Sequence, residues 1–369
     1  MKRVVTAVVS VIAGALLLLS ASPAGAAATD EYEQSKQAEA SISGEAAAPA
    51  DKVPWRNSIF SYENTFSALT LSKGADLSYN PYYAQSLSFR PRYYVRDDIS
   101  LRLRLDLEIE LTQSDETDTT REWELSDMLI DVNYAPTWMV IPYAKVAVNP
   151  DLRFTFPTSI RSRGRSLMMG LAPGVAFRRS FDLLKGNYLK NIGVTYGFRA
   201  TKYFHEYATA QLAESVCGGL PTDANSPNAD TGCLQTGKYN RSWGFTNSLG
   251  FQLAVLEKLS VSGTMMFMNY VMHKGAAKEV VINAGMDPIT MNETKVNHSA
   301  ALWFILDVNY DLYDWLSLSA GISTYHPQLD PESDYYAPFF NRFTAFYFDV
   351  TIPVDKFVSQ VQTWTGWGR

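Results

Sequence analysis

The chain is poor in cysteine, in charge and in long apolar runs, and each shortage excludes something. Two cysteines in 369 residues exclude a disulfide-built mini-domain, which needs a dense framework of bridges. Charged residues make up only 19% against 46% hydrophobic, so the chain has enough apolar material to escape wholesale disorder. It has no excess of basic charge. A net charge of −6 and a pI near 5.4 argue against nucleic acid as a partner, because its binders carry a basic footprint. Mean hydropathy is −0.13, and the only long apolar run lies at the N-terminus, which excludes a bundle of membrane helices. What the chain has in abundance is aromatic side chains, 13% of the total with Tyr 21 and Phe 19. Its apolar residues mostly alternate with polar ones.

The N-terminus reads as an address. Lys2 and Arg3 precede an apolar stretch, Val4 to Leu19, and small residues follow, ending Ala24-Gly25-Ala26. This is the pattern of a Sec signal peptide with an A-x-A cleavage site, here after Ala26. Residues 27–54, rich in Ala, Glu and Ser, read as a flexible periplasmic tail.

From Trp55 onward the hydrophobic period is two. The clearest segment is Leu101-Arg102-Leu103-Arg104-Leu105-Asp106-Leu107-Glu108-Ile109-Glu110-Leu111, aliphatic at every odd position and charged at every even one. A helix has a period of 3.6 and cannot sort these onto two faces, whereas a strand does so directly. Eleven residues at about 3.3 Å each reach roughly 36 Å. Tilted by about 45°, they span roughly 25 Å, the height of the apolar band on a membrane barrel. Similar segments are expected near 57–71, 83–95, 100–112, 127–135, 142–154, 167–180, 191–204, 242–256, 259–272, 299–310, 316–325 and 341–352.

Connections between them alternate in length, five short and six long, which is consistent with twelve strands. A further hairpin within 273–298, if it joins the wall, would raise the count to fourteen. Aromatic residues gather near both sets of connections: Tyr93, Trp138, Tyr310, Tyr313 and Trp315 by the short ones, and Tyr82, Tyr83, Tyr203, Tyr207, Tyr239 and Trp243 by the long ones. Two aromatic belts are expected where a barrel crosses two membrane interfaces.

With its leader, long alternating strands and unequal loops, the sequence resembles the Gram-negative outer-membrane β-barrel superfamily in a porin-like form. The resemblance covers nearly the whole exported chain and singles out no one family. It implies an all-β fold, a transmembrane antiparallel up-and-down barrel over 55–352, in the bacterial outer membrane. The tail 353–369 departs from the superfamily's pattern, in which the last strand ends the chain. It is read as a periplasmic helix or as a segment folded into the barrel mouth.

Alternation assigns the inward face. It places Arg90, Arg92, Arg102, Arg104, Asp106, Glu108, Glu110, Asp127, Asp131, Lys145, Arg153, Arg178, Arg199 and Asp307 as candidate pore-lining residues, with Glu63 and Asp349 beside them. Either these form a water-filled pore with a basic and an acidic wall, or they pair across strands and plug the interior. Small inward residues, Gly170, Ala172, Gly174, Ala176, Gly193 and Gly197, leave room for a solute or an infolded loop.

Arg161, Arg163 and Arg165 form a basic cluster in the third long loop, suited to an anionic solute or to lipopolysaccharide phosphates. Cys217 and Cys233 in the longest loop are expected to form a disulfide in an oxidising compartment. His205, His273, His298 and His326 all fall at external strand ends. No metal-ligand set, cofactor motif or catalytic residue is read. The expected function is a narrow, passive or weakly selective channel for small polar or charged solutes. A lipid hydrolase with a rim active site and a non-conducting structural or partner-binding barrel are the alternatives. Outer-membrane lipid and lipopolysaccharide are the expected surroundings, and no oligomeric state is read.

Overall fold

A computed structural model describes residues 53–68, 82–112, 121–181, 191–211, 235–274, 278–280, 289–291, 297–329 and 334–365. The leader, residues 27–52 of the tail, Cys217 and Cys233 lie outside the described residues.

Twelve strands form the wall: β1 Ile59–Ser67, β2 Tyr83–Arg90, β3 Ile99–Glu110, β4 Met128–Tyr134, β5 Val146–Phe156, β6 Leu167–Phe181, β7 Asn191–His205, β8 Arg241–Ala254, β9 Leu259–Met272, β10 His298–Tyr313, β11 Leu316–Pro327 and β12 Thr344–Pro353. Each pairs antiparallel with its neighbour in sequence, and β12 returns to pair with β1 over Ile59↔Pro353 to Ser67↔Ala345. The sheet is therefore a closed barrel. Closure matters because hydrocarbon offers no hydrogen-bond partner, so an open edge would leave a row of backbone groups unsatisfied.

Three short segments extend the wall. Arg92–Arg96 continues β2 beyond Pro91, Glu122–Leu125 precedes β4, and Val140–Ile141 pairs with the start of β5. Pro91 interrupts β2 because it has no N–H to donate, yet its carbonyl still accepts from Leu103 N at 3.0 Å. The additional hairpin expected within 273–298 is present, Lys278–Val280 paired with Ile289–Met291, but it forms its own two-stranded sheet. The barrel count is twelve. No helix among the described residues is long and apolar enough to cross a membrane.

Burial follows the alternation. In β3, Arg102, Arg104, Asp106 and Glu110 are buried while Leu101 is exposed. Around the circumference the outward positions carry large exposed apolar side chains, among them Phe89, Val194, Phe198, Leu249, Phe251, Val308 and Phe348. An exposed apolar band that encircles a closed sheet is the surface a bilayer requires. Tyr93, Trp138, Tyr310 and Tyr313 are exposed at the short-turn end and Trp243 at the long-loop end.

Three features depart from the expected pattern. Lys145 is not on the inward face. The β4–β5 turn occupies Pro142–Lys145, where Lys145 is exposed at φ 49°, and β5 begins only at Val146. Trp315 is not in a belt but buried. The segment after β12 forms helix α2, Val354–Thr365, and its Phe357 and Trp364, on one face, lie 5.6 and 5.8 Å from the Trp315 ring. The last long loop also folds back over the outside of the wall. Tyr336 and Phe343 pack on His326, and Thr324 Oγ1 donates to Phe339 O at 3.0 Å, so the outward-pointing Thr324, His326 and Thr344 are buried.

Candidate functional site

The site is the barrel interior, and strand register builds it. Arg102 stands opposite Asp131, Asp131 opposite Arg153, and Arg153 opposite Ala172, which puts four inward positions in one row across β3, β4, β5 and β6. Asp131 serves two arginines: Oδ2 accepts from Arg102 Nη2 at 2.8 Å, and Oδ1 from Arg153 Nε at 2.7 Å. In the next row, nearer the short turns, Asp151 and Arg199 flank Gly174. Arg199 pairs with Asp151 across that glycine. A Cβ at Gly174 would stand 2.6 Å from Asp151 Oδ1 and 3.1 Å from Arg199 Nε, so the missing side chain is what lets the pair form. These two rows make a charged belt halfway along the axis.

On the long-loop side, Arg104 Nε donates to Asp106 Oδ2 at 2.6 Å, with Arg90 Nη2 at 3.7 Å from Oδ1 and the Ser88 hydroxyl donating to the same carboxylate. Glu108 accepts from the hydroxyls of Tyr82 and Ser86, and Glu110 from Thr112 Oγ1. Asp127 holds a loop inside the mouth. It accepts from Ser159 N at 3.0 Å and from the Ser162 hydroxyl, and Ser159 in turn caps a one-turn helix, α1, Ile160–Gly164. The third long loop is thereby folded inward, with Arg163 and Arg165 exposed and Arg161 partly covered. Asp307 lies on the far wall and accepts from Ser262 Oγ at 2.8 Å and from the Asn309 amide.

Two cavities flank the belt. The outer one, about 320 Å³, is bounded by Arg104, Asp127, Ser162, Arg165, Tyr203, His205, Tyr239 and Arg241. Tyr203 and Tyr239 thus face the interior rather than an interfacial belt. The inner one, about 310 Å³, opens at the short-turn end and is bounded by Arg92, Arg102, Asn133, Asp151, Arg178, Gly197 and Met266. Arg153 and Arg199 border both. Arg178, from β6, points into the inner cavity and has no hydrogen bond and no carboxylate within ion-pair distance among the described residues. Arg92 Nη1 reaches only the Tyr94 hydroxyl, at 3.3 Å.

The opposite wall is apolar. Met266, Met268 and Tyr270 of β9, Trp303 and Ile305 of β10 and Tyr347 of β12 form a buried cluster, with Tyr325 against it. Trp303 Nε1 is satisfied by Ser323 Oγ at 2.8 Å, as a buried indole requires. This cluster fills part of the interior, and both cavities are bordered mainly by residues of the charged wall. Sequence reading missed this wall and missed Asp151, although Asp151 shares the parity of Arg153. Among the histidines it is His205 and His273 that meet, with ring centroids 5.8 Å apart and His205 Nδ1 2.8 Å from Arg165 O. His298 is exposed at the start of β10 and, among the described residues, bonds to no serine.

A closed barrel of even strand number, apolar outside and charged within, has the architecture of a transmembrane β-barrel. No protein-family model matches the sequence, and no curated protein matches it. Solved structures that resemble it include an outer-membrane channel from Pseudomonas putida F1, at 11% identity and TM-score 0.46, covering 83% of this chain and 99% of that one. The KdgM porin resembles it at 7% identity and TM-score 0.35, with 80% and 98% covered. The NanC porin does so at 10% identity and TM-score 0.37, with 80% and 98% covered. The barrel assignment rests on the strand pairing itself.

Proposed function

We propose that the protein is a narrow, passive channel for small polar or charged solutes. The observation that carries this reading is the pair of cavities on either side of the Arg102–Asp131–Arg153 belt, both bordered by Arg153 and Arg199. Twelve strands lie between the eight that side chains fill and the sixteen to eighteen that leave a wide channel. Here the apolar cluster narrows the lumen further and leaves an eccentric path along β3–β7. Small residues at Ala172, Ala176 and Gly197 line that path, and the charged groups along it offer hydrogen bonds to a polar solute in transit. The outward band meets outer-membrane lipid, and Arg165, on the infolded third loop, borders the outer cavity and suits an anionic solute there.

The test is single-channel recording of the purified full chain in planar bilayers, with liposome swelling in neutral and charged sugars. Discrete conductance steps, with swelling that falls off steeply as solute size grows, are expected. A folded, inserted barrel that gives neither current nor swelling refutes the reading in favour of a non-conducting barrel.

A further inference from the structure

We propose that the inner cavity is a binding site for a small organic oxyanion, a carboxylate or a phosphate ester, built by arginines whose hydrogen-bonding capacity the protein itself does not use. The inference deepens the channel reading and rests on it for the route by which the ligand arrives.

Three observations converge. The first is charge. Arg92, Arg102, Arg153, Arg178 and Arg199 border the cavity. The carboxylates bonded to them are two: Asp131, shared by Arg102 and Arg153, and Asp151, taken by Arg199. Asp97 and Asp98, at the rim, are engaged by Arg56 and Arg96. Among the described residues, Arg92 and Arg178 have no carboxylate within ion-pair distance.

The second is the sign of the unmet hydrogen bonds. Arg92 Nε, Arg153 Nη1, Arg178 Nε, Arg199 Nε and Asn133 Nδ2 are all buried without a partner. All five are donors and all five belong to residues that border this one cavity. Among the described residues no side chain bordering it leaves an acceptor unmet. Buried polar groups are almost always satisfied, and a set that lacks only acceptors is complementary to a ligand made of acceptors. Guanidinium groups bond carboxylate and phosphate through parallel N–H pairs, a geometry that lysine does not offer.

The third is space. A volume of about 310 Å³ is at the lower end of small-molecule sites. Gly197 and Ala176 face the cavity with almost no side chain, and Met266 closes it from the apolar wall. The site therefore takes a compact ligand with a charged end toward Arg178 and Arg92 and a less polar end toward Met266.

The test is equilibrium titration of the detergent-solubilised full chain with glucuronate, glucose 6-phosphate and glucose, for wild type, Arg178→Gln, Arg92→Gln and a turn control, Glu257→Gln. At least one of the two anions is expected to bind while glucose does not. Arg178→Gln and Arg92→Gln should each weaken binding by roughly tenfold or more, the loss of one charge-assisted bond. The control should match wild type. A preference between the anions assigns the source of the oxyanion. Glucose binding as tightly as the anions, no binding by any of the three, or two arginine variants that bind as wild type does would each overturn the proposal. If one variant does not fold, the other variant and the anion-against-glucose comparison carry the test. Binding is read without current, so a barrel that binds anions but does not conduct fails as a channel and stands as an anion site.

Discussion

Asp131→Asn is the most informative single substitution. The carboxylate is 1% exposed and bridges two guanidiniums at 2.8 and 2.7 Å. At an effective dielectric constant of about 20, a charge pair at 2.8 Å is worth about 6 kcal/mol before desolvation is subtracted. Removing one member of a buried pair costs about 3–5 kcal/mol, because the partner charges remain buried and uncompensated. The partners Arg102 and Arg153 border the cavities and can be solvated there once the carboxylate is gone, which puts the expected loss near the low end, about 3 kcal/mol. Urea unfolding of the barrel in liposomes, followed by tryptophan fluorescence, measures it. The partner variant Arg153→Gln and the double variant complete a cycle with an expected coupling of about 1–3 kcal/mol. In bilayers, Arg102 and Arg153 left unopposed should move the reversal potential toward anions. An unchanged unfolding midpoint together with an unchanged reversal potential would show that Asp131 does not organise the belt.

Leu105→Arg on the outward face should cost roughly 2–4 kcal/mol, whereas Glu108→Arg, three positions along the same strand and on the inward face, should cost far less; equal losses in the same urea assay would refute the register. Gly174→Ala places a Cβ against Asp151 Oδ1, and the displaced Asp151–Arg199 pair should cost about 1–3 kcal/mol and change the unitary conductance in the recordings described above. Trp315→Ala should free α2, read as faster protease cleavage beyond Pro353 with the barrel itself intact; wild-type cleavage rates would mean the helix is held by other contacts.

The wall was legible where its two faces meet opposite solvents. Aliphatic and charged residues alternate without exception from Leu101 to Glu110 in β3, so parity alone assigned Arg102, Arg104 and Asp106. Parity falls silent where both faces are apolar. Met265-Met266-Phe267-Met268 and Leu302-Trp303-Phe304-Ile305 give no contrast between inside and outside, and the apolar interior wall was hidden there. Lys145 was misplaced because the strand was started at Pro142, although a proline after a short loop is itself a turn signal. The inward fold of the third loop depends on Asp127 reaching Ser159 and Ser162, more than thirty positions away, which no local pattern announces. Pairings such as Asp151 with Arg199 need a three-strand register before they can be seen at all.

The seam between β1 and β12 joins residues from opposite ends of the barrel sequence, Ile59 with Pro353 and Ser67 with Ala345. Every other junction in the ring is a hairpin or a loop between consecutive strands, and the entropy of bringing two segments together rises with the chain between them. This junction therefore carries the largest loop-closure cost in the ring and needs both ends of the barrel sequence in place. At its base, Val354 N donates to Ser58 O at 2.8 Å just where α2 begins. A chain lacking Thr344–Pro353 would carry two raw edges into the bilayer, so the cylinder cannot be sealed until its last strand is in place.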